Sequence, residues 1–233
     1  MNLAIIPARS GSTRIRDKNI APLCGKPMFG WPLAAAKGSG LFGTIHMSTD
    51  SERYASIARD LGFPVDFLRD DCVSANDVGI IEVLRWVVKE YEKRGQTFET
   101  ICLVYATAAL IEAEDLRKGY EVFMGHGREV PVLSVTTYDA PVRRALAVNG
   151  EGILEPAFPE SWERHSQQLE TVYHDAGGFF FIDARRLLAD TVKVYRKMAP
   201  CVIPRNHAVD IDEPEDMVMA EQLRLGKLAK EQR

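Results

Sequence analysis

The chain has 233 residues and a formal net charge of −4, with 46% hydrophobic and 27% charged residues. That is enough apolar material for one substantial core, and the acidic balance excludes the broad basic field that non-specific nucleic-acid binding needs. Cys24, Cys72, Cys102 and Cys201 show no C-x-x-C spacing, which excludes the common zinc and dithiol redox motifs. Reduced thiols, the lack of a leader-like apolar region before Pro7 and Arg9, and the lack of a membrane-length apolar run together give the expectation of a cytoplasmic protein without membrane or nucleic-acid partners.

In chain order, Leu3–Ile6 reads as a strand, Phe29–Lys37 as a helix ending at Gly38, and Thr44–Met47 as a second strand. Glu52–Leu61 reads as a helix closed by Gly62, with Asp50 placed to cap it, and Val65–Leu68 as a third strand. Ile80, Ile81, Val83, Leu84, Val87, Val88 and Tyr91 line one face of a helix. Thr100–Tyr105 is continuously apolar, as a strand buried on both faces should be. A helix over Asp115–Met124 and a strand over Val130–Val135 continue the alternation. Residues 138–173 hold Pro141, Pro156 and Pro159 and no sustained period, which predicts an inserted lid or dimerisation excursion. Gly178–Ile182 is then a strand, Ala184–Leu188 a short helix, and Pro214–Leu228 the C-terminal helix. The order predicts one α/β domain over residues 1–233, a three-layer α/β/α, Rossmann-like arrangement around a mostly parallel sheet.

The loop after the first strand carries the chemistry. Ala8, Arg9, Ser10, Gly11, Ser12, Arg14, Arg16, Lys18 and Asn19 combine small residues, which let a ligand reach backbone N–H groups, with four cations. Such a loop at a strand end is a phosphate cradle, and its placement separates it from an ordinary basic surface loop. Two commoner phosphate motifs fail here. Gly38-Ser39-Gly40-Leu41-Phe42-Gly43 fits G-x-G-x-x-G but has a helix before it and a strand after it, the reverse of the dinucleotide fingerprint, so Gly38 reads as a helix cap. Gly25-Lys26 lacks both the first glycine and the Ser/Thr of a P-loop, since Ile20 and Pro27 stand there.

Near the C-terminus, Asp210 and Asp212 lie two apart on an extended segment and so share a face. Two carboxylates beside phosphates suit Mg²⁺ (or Mn²⁺); the other reading of Asp212 is the N-cap of the helix that follows.

Pro7-Ala8-Arg9-Ser10-Gly11-Ser12 with Lys18-Asn19 resembles the signature of cytidylyltransferases that activate sialic-acid-like sugars to CMP-sugars. The resemblance continues in order through Ser48-Thr49-Asp50-Ser51, Leu68-Arg69, Tyr173-His174-Asp175-Ala176-Gly177 and Val209-Asp210-Ile211-Asp212, nearly the whole chain. The Tyr-His-Asp-Ala-Gly block and Pro141–Leu146 look like the pseudaminic acid branch. It implies a nucleotide-diphospho-sugar transferase type of fold, and CMP transfer from CTP to the anomeric hydroxyl of pseudaminate with release of pyrophosphate. The same chemistry on N-acetylneuraminate, legionaminate or another keto-sugar acid is the alternative, and a non-catalytic nucleotide-sugar binder is a third reading. On this resemblance Arg9, Lys18 and Asp212 are catalytic. Arg69, Asp77, Tyr105 and Thr107 join the loop in nucleotide binding. Gln167, Gln168, Tyr173, His174, Asp175, Ala176 and Gly177 meet the sugar, Asp210 and Asp212 hold the metal, and the enzyme is a homodimer whose 138–173 excursion reaches the partner's sugar pocket. In the same comparison this chain has His165 where the pattern has arginine, and Ala106 and Ala109 where it has prolines, replacements that loosen the loop backbone.

Overall fold

A computed structural model describes residues 1–11, 14–74, 78–189 and 194–231. The sequence-predicted ligands Ser12 and Asp77 lie outside them.

The elements are β1 (Asn2–Pro7), β2 (Pro22–Leu23), β3 (Lys26–Pro27), α1 (Gly30–Ser39), β4 (Thr44–Ser48), α2 (Glu52–Asp60), α3 (Ile80–Lys93), β5 (Thr100–Val104), α4 (Ala113–Gly125) and β6 (Val132–Thr137). They continue with β7 (Leu146–Val148), β8 (Leu154–Pro156), β9 (Tyr173–Asp183), α5 (Ala184–Ala189), β10 (Ala199–Val202) and α6 (Pro214–Glu231). Six strands form the central sheet in the order β10-β6-β9-β5-β1-β4, parallel except for β9.

Alternation along the strands builds the three layers. Ala4, Ile6, Cys102, Val104, Phe179 and Phe181 face α1, α2 and α4 through Phe29, Leu33, Tyr54, Leu116 and Phe123. Leu3, Ile5, Ile101, Leu103, Phe180 and Ile182 face α3 and α5 through Ile81, Leu84, Val87, Tyr91 and Leu187. Each strand thus spends odd positions on one face and even positions on the other, as the period of two requires. A third cluster seats α6 on Leu23, Met28, Trp31, Ala109, Leu110 and Ile211.

α4 approaches β9 closely enough that only glycine fits at one point. A Cβ on Gly119 would lie 2.4 Å from the Phe179 ring and 3.0 Å from Phe181. Gly119→Ala gains up to about 1 kcal/mol of helix propensity but overpacks the core by about 1–3 kcal/mol. A net loss of stability is expected in urea unfolding; an unchanged or higher midpoint would count against this packing.

Several expectations need correction. Val65–Leu68 forms no strand: the run passes β4 without a ladder, and Phe67 instead packs on the His46, Trp86 and Tyr91 rings. α1 continues through Gly38 and is ended by Gly40, whose left-handed φ of 70° makes it the cap. β9 begins five residues before the expected start, and β10 was not foreseen because Pro200 interrupts its apolar pattern; proline is tolerated there because β10 is an edge strand. The 138–173 segment carries the β7–β8 hairpin, with Leu146, Val148, Ile153 and Leu154 exposed. Among the described residues, no helix is long and apolar enough to cross a membrane.

Candidate active site

Because β9 alone runs backwards, its first residues lie at the same sheet edge as the C-terminal ends of β1, β4, β5, β6 and β10. The open α/β sheet binds ligands at that edge, and β1, flanked by β4 and β5, is where the chain switches direction across the sheet.

The basic loop leaves β1 and is tied down residue by residue. The Ala8 N–H donates to the Ser48 carbonyl at 2.8 Å, and the buried Asn19 side chain donates to the Arg9 carbonyl at 3.0 Å. Asp50 accepts from the Ser10 N–H at 2.8 Å and from its hydroxyl at 3.2 Å. Asp50 therefore braces the loop, and the cap of α2 expected of it is supplied by Ser51, whose hydroxyl accepts from the Tyr54 N–H. Gly11 has φ 92°, a backbone only glycine adopts readily. Asp17, at φ 53°, accepts from Arg53 at 3.0 Å and the Tyr54 hydroxyl at 3.1 Å. Those two bonds hold the Asp17 carboxyl below the usual range, while burial, with the Asp17 bond, pushes Tyr54 up to about 12.

The far end of the chain closes on this loop. Lys18, 14% exposed, donates from Nζ to the Ile211 carbonyl at 2.6 Å and to Asp212 Oδ1 at 2.9 Å; Arg14 meets Asp212 Oδ2 at 2.8 Å. Ile211 is fully buried, which anchors the run between the two acids. The Lys18 hydrogen bond and charge, helped by Arg14, hold Asp212 below the usual carboxylate range. Asp210 goes the other way: desolvation and repulsion from Asp212, with smaller contributions from Asp216 and Asp175, raise it despite Lys18. The alternative in which Asp212 caps α6 fails. Its two oxygens are taken by Lys18 and Arg14, while Asp216, in the first turn of α6, reaches back to accept from the N–H groups of Asp212 at 2.9 Å and Glu213 at 2.7 Å.

Arg69 is 8% exposed, not a surface cation. Its guanidinium donates to the Ser48 hydroxyl at 3.2 Å and carbonyl at 2.8 Å, and burial lowers its pKa while Asp50 and Arg9 act in opposite senses. It thus stands beside Arg9 and Asp50. Just past the end of β5, the Tyr105 phenol is pushed up by burial and by the Asp175 charge. Thr107 lies in a tight turn where the Ala109 N–H donates to its carbonyl at 2.7 Å, and Arg224 of α6 donates to the Ala109 carbonyl. Ala106, Ala108 and Ala109 are buried in that turn. Packing and a hydrogen bond that proline could not donate hold this turn where the resembled pattern has prolines.

A bulge shapes the start of β9. Ala176–Phe179 stand opposite the single residue Ser134, whose hydroxyl accepts from the Phe179 N–H at 2.9 Å. Gly177 (φ 59°) lies against Asp210, and Asp175 accepts from the Gly177 N–H at 2.8 Å. Such a bulge re-aims side chains at a strand end. His174 and Asp175 are not a side-chain pair, however. The His174 Nδ1 faces the Asp175 backbone carbonyl at 2.8 Å and its ring packs on Tyr138. A carbonyl only accepts, so Nδ1 donates, which leaves Nε2 as the ring nitrogen turned to other partners.

A cleft of about 720 Å³ opens between the end of β6, the following loop and residues 205–210, lined by Tyr138, Asp139, Arg144, His174, Arg205 and Asp210 among others. The structure therefore brings Ala8, Arg9, Ser10, Gly11, Arg14, Lys18, Asn19, Arg69, Tyr105, Asp175, Ala176, Gly177, Asp210 and Asp212 to one edge, with Thr107 in the adjoining turn. Gln167, Gln168 and Tyr173 are exposed and outside the cleft lining of this single chain. Unforeseen anchors are Asp17, Asp50 and Asp216; only the position of Asp50 after a strand signalled a role.

Residues 3–143 match the cytidylyltransferase family profile. A pseudaminic acid cytidylyltransferase from Campylobacter jejuni serotype O:2 is 31% identical over 94% of this chain and 94% of that protein. A CMP-N,N'-diacetyllegionaminic acid synthase from Legionella pneumophila is 24% identical over 95% of each. Among solved structures, CMP:2-keto-3-deoxy-manno-octonic acid synthetase complexed with CTP superposes with a TM-score of 0.70 at 13% identity, over 97% of this chain and 99% of that one, which bears on the fold. With the α/β sheet, the loop at the β1 edge and a match that spans most of the sequence, this chain belongs to the cytidylyltransferase family.

Proposed function

We propose that this cytidylyltransferase joins CTP to pseudaminate, a nine-carbon acidic 2-keto sugar, giving a CMP-sugar and pyrophosphate. The observation that carries the reading is the clamped basic loop facing Asp210 and Asp212 with a sugar-sized cleft opening beside them. The anomeric hydroxyl oxygen attacks the α-phosphorus in line. An O–P bond forms as the bond to the β-phosphate bridging oxygen breaks, and pyrophosphate leaves with that electron pair.

Catalysis of such a step is mostly positioning and charge neutralisation. Arg9, Arg14, Lys18 and the N–H groups of the loop hold the phosphates, and Arg69 with Tyr105 and Thr107 flanks the nucleoside. The hydroxyl proton passes toward Nε2 of His174, the ring nitrogen not engaged by the Asp175 carbonyl, in the cleft lining. Asp210 and Asp212 fit a divalent cation. The raised pKa of Asp210 marks a concentration of acid that a cation relieves, and Mg²⁺ typically takes one or two carboxylates and completes its shell with phosphate oxygens and water. When bound, Mg²⁺ offsets charge on the triphosphate.

The working form is a homodimer, for which the exposed apolar residues of the β7–β8 hairpin supply the contact and through which Gln167, Gln168 and Tyr173 would reach a partner's cleft. Four described free cysteines fit a reducing cytoplasm. Turnover of equal concentrations of pseudaminate and N-acetylneuraminate tests the sugar. Pseudaminate is expected to have the larger kcat/KM, and faster use of neuraminate would move the assignment to that acid.

A further inference from the structure

The cleft has two arginines, and they are placed differently. Arg144 donates to the Arg164 carbonyl at 2.6 Å and stacks on Trp162, so its guanidinium is occupied within the excursion. Arg205 is paired with Asp139, and both side chains of that pair are more than half exposed at the cleft rim.

The backbone that carries Arg205 is held on both sides. Upstream, the Ile203 N–H donates to the Val135 carbonyl at 2.9 Å, and the Thr136 hydroxyl donates to the Ile203 carbonyl at 3.0 Å. Downstream, the His207 N–H donates to the Pro204 carbonyl at 2.8 Å, and the His207 ring is fixed between Asp115 at 2.8 Å and Lys227 at 3.1 Å. Arg205 is thus a planar five-donor fork on a fixed stem, aimed at a rim where an oxygen pair already sits. Asp139 on its exposed loop occupies the place that a ligand carboxylate would take. An ion pair this exposed adds little to stability, so a substrate displaces it at little cost. A guanidinium matched to a carboxylate by two parallel hydrogen bonds is a stronger and more selective contact.

We propose that Arg205 binds the carboxylate of the acidic sugar, taking it in exchange for Asp139, and so makes the site selective for a keto-sugar acid over a neutral sugar. This inference rests on the reaction proposed above. It places the carboxylate-holding cation in the same chain as the cleft.

The test compares wild type, Arg205→Gln and Asp139→Asn on the sugar acid and on its methyl ester at saturating CTP, then with CTP varied at saturating sugar acid, and the thermal midpoint is measured for each protein. Arg205→Gln is expected to raise KM for the acid about 10- to 100-fold, the loss typical of a charge-assisted pair, with KM for CTP within about twofold of wild type. Wild type should lose a similar factor on the ester, whereas Arg205→Gln should treat acid and ester alike. Asp139→Asn, which removes the competing carboxylate, should lower KM for the acid by up to about fivefold. An unchanged KM in Arg205→Gln, or undiminished preference for acid over ester in that variant, would overturn this assignment alone. Wild type inactive on every keto-sugar acid would overturn the reaction, and this assignment with it.

Discussion

Lys18→Ala should lower kcat/KM for CTP by about 10²–10³-fold, the usual cost of losing one preorganised donor to developing negative charge. Lys18 does two jobs at once. Its ammonium faces the space where the triphosphate is proposed to lie, and its bonds to the Ile211 carbonyl and Asp212 hold the acidic segment against the loop. Alanine removes the charge and leaves Arg14, far more exposed, as the other cation on Asp212. The Asp212 carboxyl should then rise toward its ordinary value, since the Lys18 hydrogen bond is the foremost cause of its depression. Steady-state kinetics with varied CTP, beside a circular-dichroism melt to show an intact fold, would measure this. A change of less than about threefold would remove Lys18 from the catalytic site.

Acidification from pH 7 to 4 should cost the fold roughly 3 kcal/mol through one residue, His46 of β4. It is 1% exposed and packs 4.5 Å from the Phe67 ring. The Tyr91 hydroxyl donates to Asp66 and therefore accepts from the His46 Nδ1–H at 3.1 Å, leaving Nε2 buried with no partner. Burial is the main reason its pKa falls to about 4; Asp66 opposes the fall, and Arg69 and Arg94 assist it. Since the folded value lies below the unfolded 6.5, the unfolded chain binds the extra proton first. The contribution is therefore complete above pH 6.5 and is lost as pH falls toward 4. Urea unfolding at pH 7 and pH 5 should differ by about 2 kcal/mol from this residue. His46→Gln should flatten that slope, and an identical slope in the variant would show that His46 is not the group titrating.

What was legible in the sequence is what local pattern encodes. The helical face of Ile80–Tyr91, the buried run at Thr100–Val104 and the cationic loop after β1 all follow from neighbours in the chain. The reversed direction of β9 has no local signature, yet it is what brings His174 and Asp175 to the same edge as Arg9 and Lys18. Val65–Leu68 has strand composition but lies beyond the sheet edge at β4, where tertiary packing of Phe67 outweighs propensity. Spacing placed Asp210 and Asp212 on one segment, but could not tell that Lys18 and Arg14 would take hold of Asp212 while Asp210 stayed among other acids. Nor could it foresee Asp50 and Asp17 as braces of the loop, because each joins residues more than thirty positions apart.

The most direct measurement is pyrophosphate release from CTP and Mg²⁺ with and without pseudaminate, with the nucleotide product identified by mass. One pyrophosphate per CMP-sugar formed, and none without the sugar acid, is the expected result. CTP that binds the protein but yields no pyrophosphate with pseudaminate, legionaminate, N-acetylneuraminate or any other keto-sugar acid would contradict it.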